Sequence, residues 1–218
     1  MNPITYLVDN FMMPFLNFSY NNISPNYGIA IILLTLIVKL LFYPLTHKQF
    51  KAMHVMQKLQ PKIKEIQAKH KKEPDKLQQE MMKIWKENKV NPLSGCLPLL
   101  IQLPFLFALF YTMNSEAFNV MISHEGVNPG LFSFWLANLG QPDGTWLLPL
   151  VIAITTFLSQ KISMTQGTVA AHQSTMLFIM PVVIFVICLK LPAGVLLYWA
   201  VSQMISTVQQ MYILKTHK

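Results

Sequence analysis

The chain alternates between long apolar segments and shorter polar ones. Five apolar segments approach or reach the length that a bilayer-spanning helix needs, about 20 residues. We predict transmembrane helices, in chain order, at residues 27–46, 97–113, 146–162, 174–189 and 195–214. The pattern therefore predicts an all-α membrane protein with five transmembrane helices.

The polar segment between the first two spans, residues 47–93, has helical periodicity. Apolar positions recur at intervals of three and four residues until the run KKEPD breaks the pattern, and Pro74 stands where a second helix would begin. We therefore predict a helical hairpin, which holds twelve lysines and five acidic residues. Because proline disrupts a helix interior, we expect the helix of the first span to end at Pro44.

The uneven distribution of lysine sets the predicted orientation, since cytoplasmic loops of membrane proteins carry the excess of basic residues. The segments predicted on the cytoplasmic side are the hairpin, the loop 163–173 and the tail 215–218. The lysine-free segments, predicted outside, are residues 1–26 and 114–145. Lys190 is the one exception to this arrangement. The N-terminus is thus predicted outside and the C-terminus inside.

Two of the outer segments have a composition typical of the membrane surface. Residues 4–18, within the segment 1–26, mix aromatic and aliphatic residues with Asn and Asp, which predicts an amphipathic helix lying on the outer surface. The alternative for these residues is an unstructured tail. The FSFWLANL portion of the loop 114–145 also predicts an interfacial helix, because Trp and Phe favour the headgroup region. No basic n-region or small-residue cleavage site marks a cleavable signal peptide at the start.

Composition narrows the class of protein further. With 53% hydrophobic and 12% charged residues, the chain is too apolar for an ordinary soluble domain. The net charge is +8 and every basic residue is a lysine. These lysines are not interleaved with aromatic residues, which argues against nucleic acid as a partner, apart from contact with ribosomal RNA. Anionic lipids and acidic peptides are the other partners that the charge predicts.

Several kinds of chemistry lack the residues they need. The predicted spans contain no Asp, Glu or His, which argues against a proton relay or a cation pathway. Cys96 and Cys188 show no metal-ligand spacing and are interpreted as free structural thiols. There is no phosphate-binding glycine loop and no Ser/His/Asp arrangement in a span. We predict no enzymatic activity and no cofactor.

Lys39 is the candidate functional residue, because it places a charge inside the first apolar segment. A charged side chain at the centre of a span costs at least about 2.5 kcal/mol. Lys39 could extend its amine toward the cytosolic membrane surface, as lysines near helix ends do. Alternatively it is a functional cation in a water-filled recess, an interpretation favoured by Thr35, which extends the polarity one turn deeper.

Other spans carry polar groups at helical spacing. The second has Gln102, and the fifth has four polar residues on one face: Tyr198, Ser202, Ser206 and Gln209. Taken singly, such residues hold helices together by hydrogen bonds. Taken together with Lys39, they could enclose a hydrated groove between helices.

Three stretches resemble the YidC/Oxa1/Alb3 family of membrane protein insertases. They are VKLLFYPLTHKQFKAMHVMQKLQPKIKEIQ, VNPLSGCLPLLIQLP and LPAGVLLYW, and the likeness extends from about Tyr27 to Gln210. The resemblance implies a five-helix core around a polar groove that is open to the cytosol and to lipid and closed to the outside. Lys39 matches the position of the family's basic groove residue, which is more often arginine. Gln203 follows Ser202 at a position where members of the family commonly have asparagine.

Thr35, Gln102 and Ser202, chosen from their positions in the spans, are the residues predicted to line this groove beside Lys39. The resemblance itself implies roles for five further residues. The residues implied as client-sliding contacts are Leu103, Leu106, Ile187, Tyr198 and Trp199.

The implied function is that of an insertase and membrane chaperone for nascent membrane proteins, in a bacterial plasma (inner) membrane or, alternatively, an organellar one. Partners implied with it are the ribosome, a targeting factor and the Sec translocon. Two alternatives remain at this stage. One is a small-anion transporter or channel that uses Lys39 as its binding charge, and the other is an assembly scaffold.

Overall fold

The computed structural model describes residues 3–71, 73–88, 97–122, 131, 135–136, 138–163 and 171–216. Within these residues the regular structure is helical and contains no β-strand, apart from an isolated bridge between Pro142 and Pro192. The helices are α1 (Pro3–Leu7), α2 (Met13–Asn22), α3 (Tyr27–Lys69), α4 (Pro74–Glu87), α5 (Leu97–Met113), α6 (Glu116–Ile122), α7 (Leu147–Ser163), α8 (Ala171–Cys188) and α9 (Ala193–Thr216). The all-helical prediction is confirmed for this part of the chain.

The N-terminal segment is helical beyond residues 4–18. A π-helical turn, Val8–Met12, joins α1 to α2. Met12 and Leu16 are fully buried and pack into the same apolar core as α3 and α5. The segment is therefore packed on the bundle along one side, and its position at a membrane surface stays a prediction.

Helix α3 does not end at Pro44, which corrects the expectation from the sequence. It runs for 43 residues, through both Pro44 and Pro61. A proline inside a helix costs about 3 kcal/mol because it removes a hydrogen bond and crowds the preceding turn. Buried side chains on both sides of Pro44, among them Val38 and Phe50, pack against other parts of the chain and keep the helix continuous. The first span and the first hairpin helix are thus one rod.

The second hairpin helix, α4, begins at Pro74, where the sequence predicts it. None of its residues is buried, and Lys76 pairs with Glu73 at 2.8 Å in the turn that joins it to α3. Residues 89–96, which include Cys96, lie outside the described residues. Cys188 is a buried free thiol in the last turn of α8.

The segment 114–145 differs from its prediction. A short helix, α6, follows α5, with a 60° bend between Leu100–Met113 and Glu116–Ile122. The described residues of FSFWLANL are not helical, so the interfacial helix expected there is wrong for them. Leu136 has a φ of 53° and its carbonyl accepts a hydrogen bond from the Leu131 N–H. A left-handed residue cannot continue a right-handed helix. The backbone therefore turns at Leu136 and bonds to Leu131. Residues 132–134 and 137 lie outside the described residues.

Length and composition identify one membrane-crossing helix among the described residues, α3. The bent pair α5 and α6 passes the same test when both are taken as one span. The segments Leu147–Ile162 and Leu177–Cys188 are apolar but shorter. The count of five spans therefore stays a prediction.

Helix α9 lies at the centre of the bundle. Its first half is almost entirely buried, and it packs against α3, α5 and α7. Helix α8 packs chiefly against α7 and leaves a broad apolar face exposed, which includes Phe178, Val182 and Val186. A buried apolar core joins these helices to α1 and α2.

The loop 138–146 satisfies the first turns of two helices. The carboxylate of Asp143 accepts hydrogen bonds from the Thr145 N–H and hydroxyl and from the Leu148 N–H at the start of α7. The first N–H groups of α9, those of Ala193 and Gly194, donate to carbonyls of the same loop. Burial raises the pKa of Asp143, but its hydrogen bonds outweigh this effect, so the pKa lies below its ordinary value.

Gly28, in the first turn of α3, allows residue 131 to approach the helix. A Cβ there would lie 2.6 Å from the Leu131 Cβ and 2.7 Å from its Cα, so the backbone would have to move. We expect Gly28→Ala to destabilise the protein by about 1–3 kcal/mol through overpacking, offset in part by about 1 kcal/mol of helix propensity. Thermal unfolding in detergent measures this. Gly144→Ala is the matched control, because nothing lies within 4 Å of its added Cβ. Equal melting temperatures for the two variants would contradict the close approach.

Asp143 predicts a pH dependence of stability. Because its folded-state pKa is lowered, it contributes stability above its unfolded-state pKa of about 3.9, and this contribution is lost as the pH falls through the folded-state value. We expect Asp143→Asn to lower the melting temperature at pH 7, and the difference from the parent protein to shrink below about pH 4. Glu65→Gln, at an exposed position on α3, should show no such change. A difference that stays constant with pH would exclude this role.

Candidate functional site

Lys39 lies at the interface of α3 and α9. Its side chain is half-buried, and its Nζ donates a hydrogen bond to the Ser206 Oγ at 2.7 Å. No carboxylate lies within ion-pair distance of Lys39 among the described residues. Leu36, one turn before Lys39, and Leu40, which directly follows it, are exposed on the surface of α3. The ammonium group is therefore held by a neutral hydroxyl, and its charge is not cancelled by the described residues.

The inward face of α9 carries a row of polar residues that bind neighbouring helices. Ser202 donates to the Gln102 Oε1 on α5 at 2.9 Å. One turn on, Ser206 accepts from Lys39 on α3. The Gln209 Oε1 accepts a hydrogen bond from Thr46 on α3 at 3.1 Å. The Gln210 Oε1 accepts one from Ser159 on α7 at 3.0 Å. The spacing of four and three residues places this row on one face, so one helix binds three others.

Two polar atoms near Ser202 lack partners. The Gln102 Nε2 and the Tyr198 Oη are buried and form no hydrogen bond with the described residues. Gln102 lies beside the Tyr198 hydroxyl but outside hydrogen-bonding geometry. A buried unpaired group is costly in an apolar interior. The α5–α9 interface therefore retains an unpaired amide donor and an unpaired hydroxyl next to the polar row of α9.

Thr35 is placed differently from the other predicted lining residues. It is fully buried, and its hydroxyl donates to the Ile31 carbonyl of its own helix at 2.7 Å. Its donor is thus used within α3. Lys39, Gln102 and Ser202 are brought together around α9, whereas the lining role of Thr35 stays a prediction.

The predicted client-sliding contacts have unequal exposure. Ile187 on α8 is 52% exposed. Leu103 and Leu106 on α5 are half-buried, as is Trp199. Tyr198 is fully buried and presents no surface to another molecule in this conformation. Its predicted contact with a client requires α5 and α9 to separate, and the role of all five residues stays a prediction.

The sequence places Ser206 on the polar face of the fifth span but does not select it as a partner of Lys39 or as a lining residue. It lies 167 positions from Lys39 along the chain. The signal for this face is the helical spacing of Ser206 from Ser202. That spacing gives no indication of which helix the face meets.

These features define a class of protein: a helical membrane protein with an uncancelled cation between two packed helices. A sequence model of the 60Kd inner membrane protein family matches residues 18–218. The chain belongs to this family, which confirms the resemblance found in the sequence.

Relatives and a solved structure agree with this assignment. The chain is 37% identical over 194 residues to the membrane protein insertase YidC of Geobacter sulfurreducens, covering 89% of this chain and 35% of that protein. It is 37% identical over 209 residues to the membrane protein insertase YidC of Fusobacterium nucleatum, covering 94% of this chain and 96% of that protein. The crystal structure of an active YidC insertase with its first transmembrane domain resolved has a TM-score of 0.70 and 30% identity, covering 95% of this chain and 46% of that chain. The chain thus spans about a third of the Geobacter relative and nearly all of the Fusobacterium one.

The Lys39–Ser206 hydrogen bond predicts thermodynamic coupling between these positions. Hydrogen bonds to charged groups contribute about 1.5–3 kcal/mol, so a double-mutant cycle of Lys39→Met and Ser206→Ala should give a coupling energy of about that size. Unfolding in detergent measures it. Thr207→Ala is the matched control, since that hydroxyl donates to the Gln203 carbonyl of its own helix. Additive effects in the Ser206 cycle would show that the contact contributes nothing.

Proposed function

We propose that the protein is a membrane protein insertase and chaperone, which moves short polar tails and transmembrane segments of clients from the cytosol into the bilayer. The observation that carries this proposal is Lys39, a half-buried cation held by the neutral hydroxyl of Ser206 with no carboxylate partner among the described residues. A structural lysine of this burial would be more stable beside a carboxylate. Its free charge is therefore suited to attracting an anionic group from elsewhere.

The charge can lower the barrier that a polar tail meets in the membrane. At an effective dielectric constant of about 20, two opposite charges about 4 Å apart attract by about 4 kcal/mol. This offsets part of the cost of moving an acidic tail out of water. The attraction is transient, because the tail continues to the other side and leaves Lys39 free.

Polar groups around α9 support a hydrated groove in the proposed mechanism. Gln102, Ser202 and Thr35 would line it, and the unpartnered Gln102 Nε2 and Tyr198 Oη offer hydrogen bonds to a client or to water. The client's apolar helix would slide past Leu103, Leu106, Ile187, Tyr198 and Trp199 into lipid. Hydrophobic transfer of that helix supplies the driving force, so no nucleotide is needed.

The relatives support the same function. Those of G. sulfurreducens, Magnetococcus marinus and F. nucleatum are all named membrane protein insertase YidC. Since the Fusobacterium protein is matched along 96% of its length, the likeness covers nearly a whole insertase in that case.

The proposed location is a bacterial inner membrane, with five spans, the N-terminus outside and the C-terminus inside. The lysine-rich hairpin supports this orientation. Its exposed lysines, with no buried residue in α4, also suit contact with anionic lipids, ribosomal RNA or acidic surfaces of a targeting factor. Nascent membrane proteins are the proposed clients, delivered by a ribosome or beside a Sec translocon.

A replacement series at Lys39 tests the electrostatic role. In proteoliposomes we expect Lys39→Arg to insert a client with an acidic tail normally. Lys39→Ala should reduce its insertion about tenfold, which corresponds to about 1.4 kcal/mol, and Lys39→Glu should reduce it further. A client with a neutral tail should respond little, and Lys190→Ala should behave as the parent protein. Equal insertion by the Ala, Glu and Arg variants would disprove the role of the charge.

The same vesicles distinguish the alternative of a small-anion transporter, which the uncancelled charge of Lys39 would also suit. We expect client insertion without chloride flux. Chloride flux that depends on Lys39, in vesicles that insert no client, would favour the transporter.

Crosslinking from a photoreactive residue at position 39 to a stalled nascent chain reports the proposed encounter between Lys39 and a client directly.

A further inference from the structure

A layer of buried amide groups lies where α3, α7 and α9 meet, on the hairpin side of Lys39. Thr46 on α3 is bonded to Gln209 on α9, and Ser159 on α7 is bonded to the neighbouring Gln210. Gln49 lies one turn beyond Thr46 on the same buried face of α3. A third contact joins α3 directly to α7, from the Gln57 Nε2 to the Ile162 carbonyl. We call the set Thr46, Gln49, Ser159, Gln160, Gln209 and Gln210 the glutamine layer.

Several amide atoms of the glutamine layer have no partner. Gln49 is 5% exposed, and neither its Nε2 nor its Oε1 forms a hydrogen bond with the described residues. The Nε2 of Gln209, a residue 9% exposed, and the Oε1 of Gln160 are also buried and unpaired within the described part of the chain. The layer therefore contains unpaired polar atoms on all three helices, with donors on α3 and α9 and acceptors on α3 and α7.

The surroundings restrict what can satisfy these atoms. Buried apolar residues adjoin the layer, with Phe50 next to Gln49 and Ile213 one turn beyond Gln209 on α9. The layer itself contains no charged residue, and an ion cannot satisfy both kinds of unpaired atom, because a cation binds only the acceptors and an anion only the donors. A partner must be small and neutral, and it must both donate and accept hydrogen bonds. Water meets all these conditions, and a buried water typically binds about three otherwise unpaired polar groups.

We propose that the glutamine layer is a binding site for ordered water molecules, which bridge Gln49, Gln209 and Gln160 across three helices. Thr46 is seven residues from Lys39, about 10 Å along a helix at ~1.5 Å per residue, and Gln209 is three residues from Ser206. The bridges thus continue the row of polar contacts beyond the lysine. Exchangeable water bonds there add to the direct side-chain contacts that hold α3 against α7 and α9. This inference does not rest on the proposed function.

Magnetisation transfer from water tests the site in the intact protein. In uniformly ¹⁵N-labelled protein in lipid bilayers, solid-state NMR should show rapid transfer from water to the side-chain amides of Gln49 and Gln209. Gln49→Met and Gln209→Met assign the two signals by their loss. The amide of exposed Gln79 on α4 is the wet reference, and the backbone N–H of fully buried Leu196 is the dry one. Transfer to Gln49 and Gln209 as slow as to Leu196 would overturn the proposal.

The sign of a stability change gives an independent test, since methionine matches the shape of glutamine and lacks its amide. If water binds the amides, Gln49→Met and Gln209→Met each remove the hydrogen bonds between that side chain and water. Each should then lower the melting temperature by about 2–4 °C. If the layer is dry, removing unpaired groups should raise it, and this result would overturn the proposal. Gln79→Met, at an exposed position, is the matched control and should leave it unchanged. A lowered melting temperature without transfer from water also overturns the proposal, because it would reflect packing alone.

Discussion

Polar atoms inside a membrane bundle must find their hydrogen-bond partners within the protein, because hydrocarbon offers none. Here that constraint falls on α9. Its inward row of Ser202, Ser206, Gln209 and Gln210 supplies two partners to α3 and one each to α5 and α7, while its outward face is apolar. A rotation of α9 by one residue would break all four contacts together. The register of this helix therefore fixes how its neighbours pack and where Lys39 is held.

The choice of a neutral partner for Lys39 has consequences for function. In the hairpin turn, Lys76 is paired with the carboxylate of Glu73, and both side chains are at least half exposed, so little depends on either charge. Inside the bundle, Ser206 accepts the hydrogen bond of Lys39 without removing its charge. The arrangement is less favourable than an ion pair of good geometry would be, yet it leaves a positive charge available to an arriving anion. The proposed mechanism requires this uncancelled charge.

Much of the helical framework could be predicted from the sequence. The apolar segment 97–113 coincides with α5, and Pro74 opens α4 as expected. Two local rules failed, for reasons that lie elsewhere in the chain. Pro44 does not end α3, because packing on both sides of it outweighs the loss of one hydrogen bond. Leu136 is not helical, because its hydrogen bond with Leu131 holds the backbone in another conformation.

For the candidate site, the sequence by itself determined that Lys39 is exceptional, since a charge within an apolar segment is a local feature. It also placed the polar residues of α9 on one face, because helical spacing is local too. Only the tertiary structure decided that Lys39 meets Ser206 and that Gln49, in a segment assigned to the hairpin, is buried. Those outcomes depend on the rotation and axial register of helices more than a hundred residues apart, and periodicity along one segment carries no information about either.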